Sequence, residues 1–225
     1  MIDAQLFGSL PEPELRRLVT VARRRTFRSG EVVFHRGDPG DSLHLVVKGR
    51  FAARVVTQRG ETVTIAIHGP GEAFGELALV DTAAPRSTTI AAVESGETLA
   101  IGREDFDRVR HRYPEVNEVL VRLLAARVRH ATGSLLEALF VPAETRVLRR
   151  LLDLVEMYGR SAGGTPIPLT QEDIAALAAT SRATANRVLR AEQERGTVRL
   201  ARGKTVVLDP ENIARRAGAP ALDRA

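Results

Sequence analysis

The chain has no cysteine and no tryptophan, and aromatic residues make up only 4% of its 225 residues. Without cysteine there are no disulfides, no thiolate zinc sites and no cysteine-ligated iron–sulfur clusters. Lysine is nearly missing too: apart from Lys48 and Lys204, every basic side chain is arginine. No run approaches the ~20 apolar residues of a membrane span. The opening residues, Met1 to Gln5, lack the basic start and apolar core of a signal peptide. Cytoplasm is therefore the expected location, with no membrane partner. The five histidines (His35, His44, His68, His111 and His130) are scattered, with no metal-ligand spacing and no nucleophile–base pair beside them. Neither a metal site nor an enzyme is expected.

What is present is ordinary in bulk and uneven in distribution. Hydrophobic content of 44% and charged content of 27% suit a globular chain of one or two domains. The net charge is +5. Acidic and basic side chains nearly balance over residues 1–113. Between Ser181 and Leu208, however, Arg182, Arg187, Arg190, Arg195, Arg199, Arg202 and Lys204 are opposed only by Glu192 and Glu194. A local positive stripe is the electrostatic footprint of a nucleic-acid binder, although a solvated basic face has the same composition.

The N-terminal half reads as β-rich. Leu10, Leu15, Leu18 and Val19 give a short helix over Leu6 to Val21, with Pro11 near its start. Short β-prone runs follow at Val32–Phe34, Leu43–Val47, Phe51–Val56, Val63–Ile67 and Leu99–Ile101, separated by glycine-containing turns. Short strands with turn signals every 8–12 residues indicate a sandwich or small barrel. Arg103–Arg112 is a short helix. One stretch interrupts the pattern: Phe74-Gly75-Glu76-Leu77-Ala78-Leu79-Val80, followed by Asp81 to Thr89. A glycine beside a carboxylate opens a helical turn, and backbone N–H groups there, with Arg86, Ser87 and Thr88, have the chemistry of an anion site. Glu76 only accepts hydrogen bonds, so it suits a sugar hydroxyl; the set favours a sugar phosphate over bare phosphate. The alternative is a surface loop closed by a Glu76–Arg86 ion pair.

A long helix follows, from Pro114, well placed at a first helical position, to about Leu139. Val121, Leu124, Val128, Ala131, Leu135 and Ala138 are spaced alternately by three and four, as in a coiled-coil seam. Val116, Val119, Leu120 and Leu123 form a second stripe. Two apolar faces need two partners: its own N-terminal domain for the stripe and a second copy of the helix for the seam, or else burial on both sides in a monomer.

Phe140-Val141-Pro142 breaks this helix as a hinge. Ala143–Tyr158 is amphipathic, and Gly159–Pro168 reads as a turn-rich connection. Thr170 starts a short helix in a capping-box-like Thr-Gln-Glu-Asp, with Ile174, Leu177 and Ala178 on its core face. Ala179-Thr180 turns, Ser181 caps the next helix, and Gly196 stops it. Helix, short turn, helix is helix-turn-helix spacing, and Gly196–Leu200 with Thr205–Leu208 reads as a β-hairpin wing. Ser181, Arg182, Thr184, Ala185 and Arg187 lie in the first two turns of the second helix, the part that enters a major groove, where arginine pairs with guanine. Thr170, Ser181, Thr184 and Lys204 are placed for phosphates.

These residues carry a resemblance. Gly37-Asp38-Pro39-Gly40-Asp41-Ser42-Leu43-His44-Leu45-Val46-Val47-Lys48-Gly49, Phe74 to Leu79 and Pro85-Arg86-Ser87 strongly resemble the cyclic-nucleotide-binding β-barrel of the cyclic AMP receptor and fumarate–nitrate regulator family. The stretch Thr170 to Ala178, then Ser181-Arg182-Ala183-Thr184-Ala185-Asn186-Arg187-Val188-Leu189 and Gly203 to Val207, resembles the same family's DNA-binding domain. The fold implied is α+β: a jelly-roll-type barrel over 1–112, a dimerisation helix over 113–140, a winged helix-turn-helix over 141–218 and a tail over 219–225. The function implied is a dimeric transcriptional regulator controlled by a cyclic nucleotide, cyclic AMP first, bound to a two-fold symmetric DNA site and contacting RNA polymerase. Carried over, Glu76 holds the ribose hydroxyl, and Arg86 and Ser87 hold the cyclic phosphate. Gly75 and Leu77 shape the turn, and Ile65 and Ala53 line the base side. In such receptors two adjacent polar residues of the long helix contact adenine; here they are Ala131 and Thr132, so one hydroxyl is missing. Arg127, one turn earlier, adds positive charge near the phosphate or is a plain surface arginine. Two further departures are Pro142 in place of an aspartate cap and Ala183 in place of a recognition-helix glutamate. The alternatives are a regulator of the same fold that is ligand-independent or senses another small molecule, and, from another class, a cyclic-nucleotide-binding regulatory subunit of a partner protein.

Overall fold

A computed structural model describes residues 16, 19–58, 60, 62–81, 84–114 and 116–218, with backbone alone at 78 and 119. The chain divides into two compact units, 1–130 and 131–225, with the division inside the long helix.

In the first unit, β1 (Arg23–Phe27), β2 (Val32–Phe34), β3 (Ser42–Lys48), β4 (Phe51–Val56), β5 (Thr62–His68) and β6 (Ala73–Phe74) lead to a one-turn helix α1 (Leu77–Val80). Then come β7 (Thr89–Ala92), β8 (Gly96–Gly102), α2 (Arg103–Arg112) and α3 (Val116–Phe140). The strands form two antiparallel four-stranded sheets, ordered β1-β8-β3-β6 and β2-β7-β4-β5. Inward-facing Phe27, Val46 and Phe74 of one sheet meet Phe51, Ala53, Ile90 and Ala92 of the other in one buried cluster. Phe51 sits edge-on to Phe27 at 5.6 Å and against Phe74 at 5.5 Å between ring centroids. Few aromatics suffice because three of them, Phe27, Phe51 and Phe74, converge there with Phe34.

Three strands of this unit are absent from the sequence reading. The Arg-Arg-Arg-Thr-Phe run of β1 has no apolar alternation, and its pairing along β8 makes it a strand. The two residues of β6 are too few for any pattern, and β7 is half alanine. The helix expected over Leu6–Val21 lies mostly outside the described residues, with Arg16 and Val19–Val21 helical.

The long helix begins at Val116, so Pro114 is not its first helical residue. The Pro114 carbonyl instead accepts from Asn117 N–H at 2.9 Å in a lead-in turn. Val116, Leu120 and Leu123 pack with Leu43, Leu99, Ile101, Phe106 and Val109, so the expected stripe does cover its own domain. Burying each such side chain contributes about 1.5–3 kcal/mol; the Val119 side chain lies outside the described set. The seam has a different fate: Val121 and Val128 are each 65% exposed and Leu135 is 59% exposed, while Leu124 is partly buried.

The second unit holds the end of α3, then α4 (Ala143–Tyr158), β9 (Thr165–Ile167), α5 (Gln171–Leu177), α6 (Arg182–Glu194), β10 (Val198–Ala201), β11 (Lys204–Val207) and α7 (Pro210–Ala217). Val147, Leu148, Leu151, Leu152, Leu154 and Val155 are all buried, which places α4 at the centre of this core. The Gly159–Pro168 connection contains a strand: β9 pairs with β11 and widens the hairpin to a three-stranded sheet, ordered β10-β11-β9. Helix α7, missed in the sequence, is capped by Asp209 with Pro210 at its start, and it buries Ile213, Ala214 and Ala217.

Candidate functional site

The interrupted stretch in the first unit folds as its residues require. Gly75 has φ +83°, a conformation only glycine adopts freely. A Cβ there would stand 2.6 Å from Arg86 Nη1 and 2.9 Å from the Ser42 carbonyl. Glycine thus lets the backbone close onto the Arg86 guanidinium, and α1 follows with Glu76 at its cap position.

Arg86 is only 6% exposed. Its Nη1 donates to the carbonyls of Ser42 (2.8 Å) and Gly75 (3.3 Å), and its Nη2 donates to Asp41 Oδ1 (3.0 Å) and Ser42 Oγ (3.1 Å). The guanidinium stacks over Phe34, 4.0 Å from the ring centre. Burial weakens its hold on its proton, Asp41 opposes that, and an arginine remains charged. One group is left over: the Nε–H is buried and has no acceptor among the described residues. A buried cationic N–H without a partner is costly unless an anion or water completes it.

The ion-pair alternative for Glu76 and Arg86 is not what forms. Glu76 instead lies 3.6 Å from Arg127 Nε, while Arg86 pairs with Asp41. Arg127 also donates to the Ala73 carbonyl at 2.6 Å and lies 3.3 Å from His68 Nδ1. It therefore sits on the Glu76 side of the turn and is more than a surface arginine. Ser87 is exposed, Thr88 half-buried and Leu77 exposed. Ala53 is buried in the sandwich core, and Ile65 is 50% exposed. Ala131 and Thr132 are exposed on α3, at the start of the second unit.

Sequence reasoning overlooked Asp41, Ser42 and His44 in this neighbourhood. His44 stacks on Phe74 with ring centroids 5.2 Å apart, and its Nδ1 lies 3.0 Å from Thr98 Oγ1. Burial, with the nearby charge of Arg86, lowers its pKa to about 3. Ser42 and His44 alternate on β3, but their pairing with Gly102 and Ala100 of β8, which sets their surroundings, carries no signal in the sequence.

In the second unit the helix-turn-helix forms as expected. Thr170 makes a reciprocal capping box with Asp173, and the Ser181 Oγ accepts from Thr184 N–H at 3.1 Å. Two of the three hydroxyls expected at phosphates, those of Thr170 and Ser181, therefore also cap helices. Arg182 is exposed, 3.9 Å from Glu172. Arg187 and Lys204 are exposed on α6 and at the hairpin tip, and Ala183 is exposed beside Arg182. Ala185 is fully buried and belongs to the domain core. Its methyl group packs inward because positions 185, 188, 189 and 192 share one helix face.

A two-sheet domain with a glycine–carboxylate turn and a buried arginine, in one chain with a winged helix-turn-helix, defines a ligand-responsive DNA-binding regulator. Residues 24–113 match the family model of the cyclic nucleotide-binding domain, and residues 145–216 match the Crp-like helix-turn-helix domain. The cyclic AMP receptor protein of Thermus thermophilus is 38% identical over 207 residues, covering 92% of this chain and 94% of its own. A CRP-like cAMP-activated global transcriptional regulator of Mycobacterium tuberculosis is 32% identical, covering 85% and 86%. Among solved structures, the Thermus thermophilus catabolite activator protein is 36% identical with a TM-score of 0.55, over 95% of this chain and 98% of that one. The c-di-GMP responsive global regulator of Xanthomonas campestris shares the fold at 22% identity, with a TM-score of 0.75 over 88% and 99%. The chain belongs to the cyclic AMP receptor and fumarate–nitrate regulator family of transcription regulators, whose members are not enzymes. Among the described residues, no helix is long and apolar enough to cross a membrane.

Proposed function

We propose that this protein is a cytoplasmic homodimeric regulator whose affinity for a two-fold symmetric DNA site is set by cyclic AMP. The observation that carries the nucleotide reading is the Arg86 guanidinium, buried and fixed on three sides, with its Nε–H unpartnered beside the turn that Gly75 opens. A cyclic phosphate supplies the missing acceptor, and Ser87 and Thr88 stand next in sequence to donate to it. Glu76 accepts from the ribose hydroxyl. Arg127 of α3 lies 3.6 Å from Glu76, so a ribose at Glu76 competes for that contact. Thr132 offers its hydroxyl to the base, with Ala131 contributing none.

The exposed seam of Val121, Val128 and Leu135 fits a second copy of α3. A dimer presents two recognition helices to successive major grooves, with Arg182 and Arg187 at base edges and Thr170, Ser181, Thr184 and Lys204 at phosphates. The nucleotide shifts the dimer toward the arrangement that fits DNA by binding that arrangement more tightly. RNA polymerase is the protein partner of this reading.

The test is fluorescence anisotropy on a duplex that the protein itself selects from a random-sequence library, with and without cyclic AMP. Tighter DNA binding with the nucleotide supports the proposal. Equal affinity in both supports a second reading, a regulator that is ligand-independent or senses another small molecule, for which Ala131 is the motive. The Crp-like domain counts against a regulatory subunit that only touches protein.

A further inference from the structure

The recognition helix ends on a feature that stability alone does not explain. Glu192, in the last turn of α6, is 0% exposed. A carboxylate at a helix C-terminus opposes the helix dipole, and burying it is costly where an apolar residue of similar size often serves as well or better. Here it is fully engaged. Its Oε2 accepts from Thr197 Oγ at 2.7 Å, and its Oε1 accepts from Arg195 at 3.1 Å and from Arg216 of α7. Arg216 reaches on to Glu144 of α4 at 3.2 Å. The next residue, Gln193, is exposed, and its side-chain oxygen accepts from the Leu200 N–H of β10 at 3.0 Å. Thr197 in turn accepts from the N–H groups of Leu208 and Asp209, beyond β11.

Two consecutive side chains of the recognition helix therefore hold the wing at Thr197, just before its first strand, and at Leu200 within that strand. Hydrogen bonds of this kind fix direction as well as distance, which apolar packing does not. Between and beyond the two anchor points lie the wing's exposed cations, Arg199, Arg202 and Lys204. We propose that Glu192 and Gln193 are positioning residues for DNA binding: they set the wing on the recognition helix so that these cations meet phosphates beside the groove that α6 enters. The inference rests on the DNA-binding reading of the helix-turn-helix domain and is independent of which small molecule the first unit takes.

The experiment uses the full chain and a duplex selected by the wild-type protein, with affinity measured over a series of salt concentrations. Gln193→Ala, at an exposed position, keeps the fold. It is expected to weaken binding about 5- to 10-fold and to shallow the salt dependence by about one phosphate contact per wing, without changing the bases preferred. In an Arg199→Ala/Arg202→Ala/Lys204→Ala background, Gln193→Ala is expected to add nothing, because the cations it positions are gone. A second variant, Glu192→Leu with Thr197→Val, is expected to unfold no more readily than wild type and to show the same shallow salt slope. An unchanged salt slope in both variants, or an equal loss from Gln193→Ala with and without the wing cations, would overturn the proposal. Either would reduce the two residues to structural contacts.

Discussion

The guanidinium of Arg146 donates to the carbonyl of Ala179 at 2.9 Å, and Ala179 is the one non-glycine among the described residues with positive φ, +48°. The same side chain donates to Ala178 at 2.8 Å and to the carbonyl of Val141, between α3 and α4, at 2.5 Å. One arginine thus serves the carbonyl ends of two helices, α3 before α4 and α5 before the recognition helix. Orphan carbonyls at helix ends need such donors. A left-handed alanine costs about 1–2 kcal/mol, and these hydrogen bonds offset it. Ala179→Gly is therefore expected to stabilise the second unit by about 0.5–1 kcal/mol, the strain relieved less the entropy glycine adds to the unfolded chain. Denaturant unfolding measures it, and a loss of stability would show that the turn is not strained.

Gly75→Ala places a Cβ against Arg86 Nη1 and the Ser42 carbonyl in a backbone conformation alanine resists. Calorimetry is expected to show cyclic AMP affinity falling at least tenfold, about 1.4 kcal/mol or more, in a protein that still binds non-specific DNA. Wild-type affinity in this variant would mean that the guanidinium is not part of the ligand site.

His44 titrates in the unfolded chain near its ordinary pKa and in the folded chain only near 3. The unfolded state therefore binds the proton first as pH falls. The stability contribution is complete at neutral pH and is lost progressively below about pH 6.5, by up to about 1.4 kcal/mol per pH unit for this one group. His44→Phe keeps the stack on Phe74 and removes the titration, so urea unfolding between pH 7 and 4 should show a shallower decline for the variant. Parallel pH profiles would contradict the assignment.

At the DNA face, Arg187→Ala is expected to cost about 1–3 kcal/mol and to relax preference at one base pair per half-site. Arg182→Ala should behave alike. Ala183→Glu should sharpen selectivity at one further position, since a carboxylate accepts from cytosine N4. Selection from random duplexes reads all three; an unchanged base preference for Ala183→Glu would remove this account of the missing glutamate.

Val128→Glu sets two carboxylates facing each other if α3 pairs with its own copy. Sedimentation should show a dimer in the wild type and a monomer in the variant. A wild-type monomer would leave the exposed seam without its proposed occupant.

Elements with internal periodicity were legible in the chain. The stripe of α3, the core face of α4, the capping box at Thr170 and the Ser181 cap all appear as the residues suggest. Elements defined by a partner were not. Strand β1 is three arginines until β8 pairs with it, and β9 hides in a turn-rich segment until β11 does. The site divides in the same way. Gly75, Glu76 and Arg86 stand out by residue type, but the company each keeps was hidden: Arg86 with Asp41 and Ser42, Glu76 with Arg127. Those pairings cross 44 or more residues of sequence: a bridge between Pro39 and Pro85 brings Asp41 and Ser42 to Arg86, and the packing of Leu120 and Leu123 of α3 on the sandwich of the first unit brings Arg127 to Glu76. The buried Glu192 was counted in the sequence as one of two charges opposing a basic stripe; its burial depends on α7, a helix the sequence did not disclose.

The most direct measurement is calorimetric titration of the full-length protein with cyclic AMP, beside the Arg86→Ala variant and with cyclic GMP as the competitor. The account predicts micromolar or tighter binding of cyclic AMP by the wild type, weaker binding of cyclic GMP, and loss of both in the variant. No binding of either nucleotide by the wild type, or equal binding by Arg86→Ala, would contradict it.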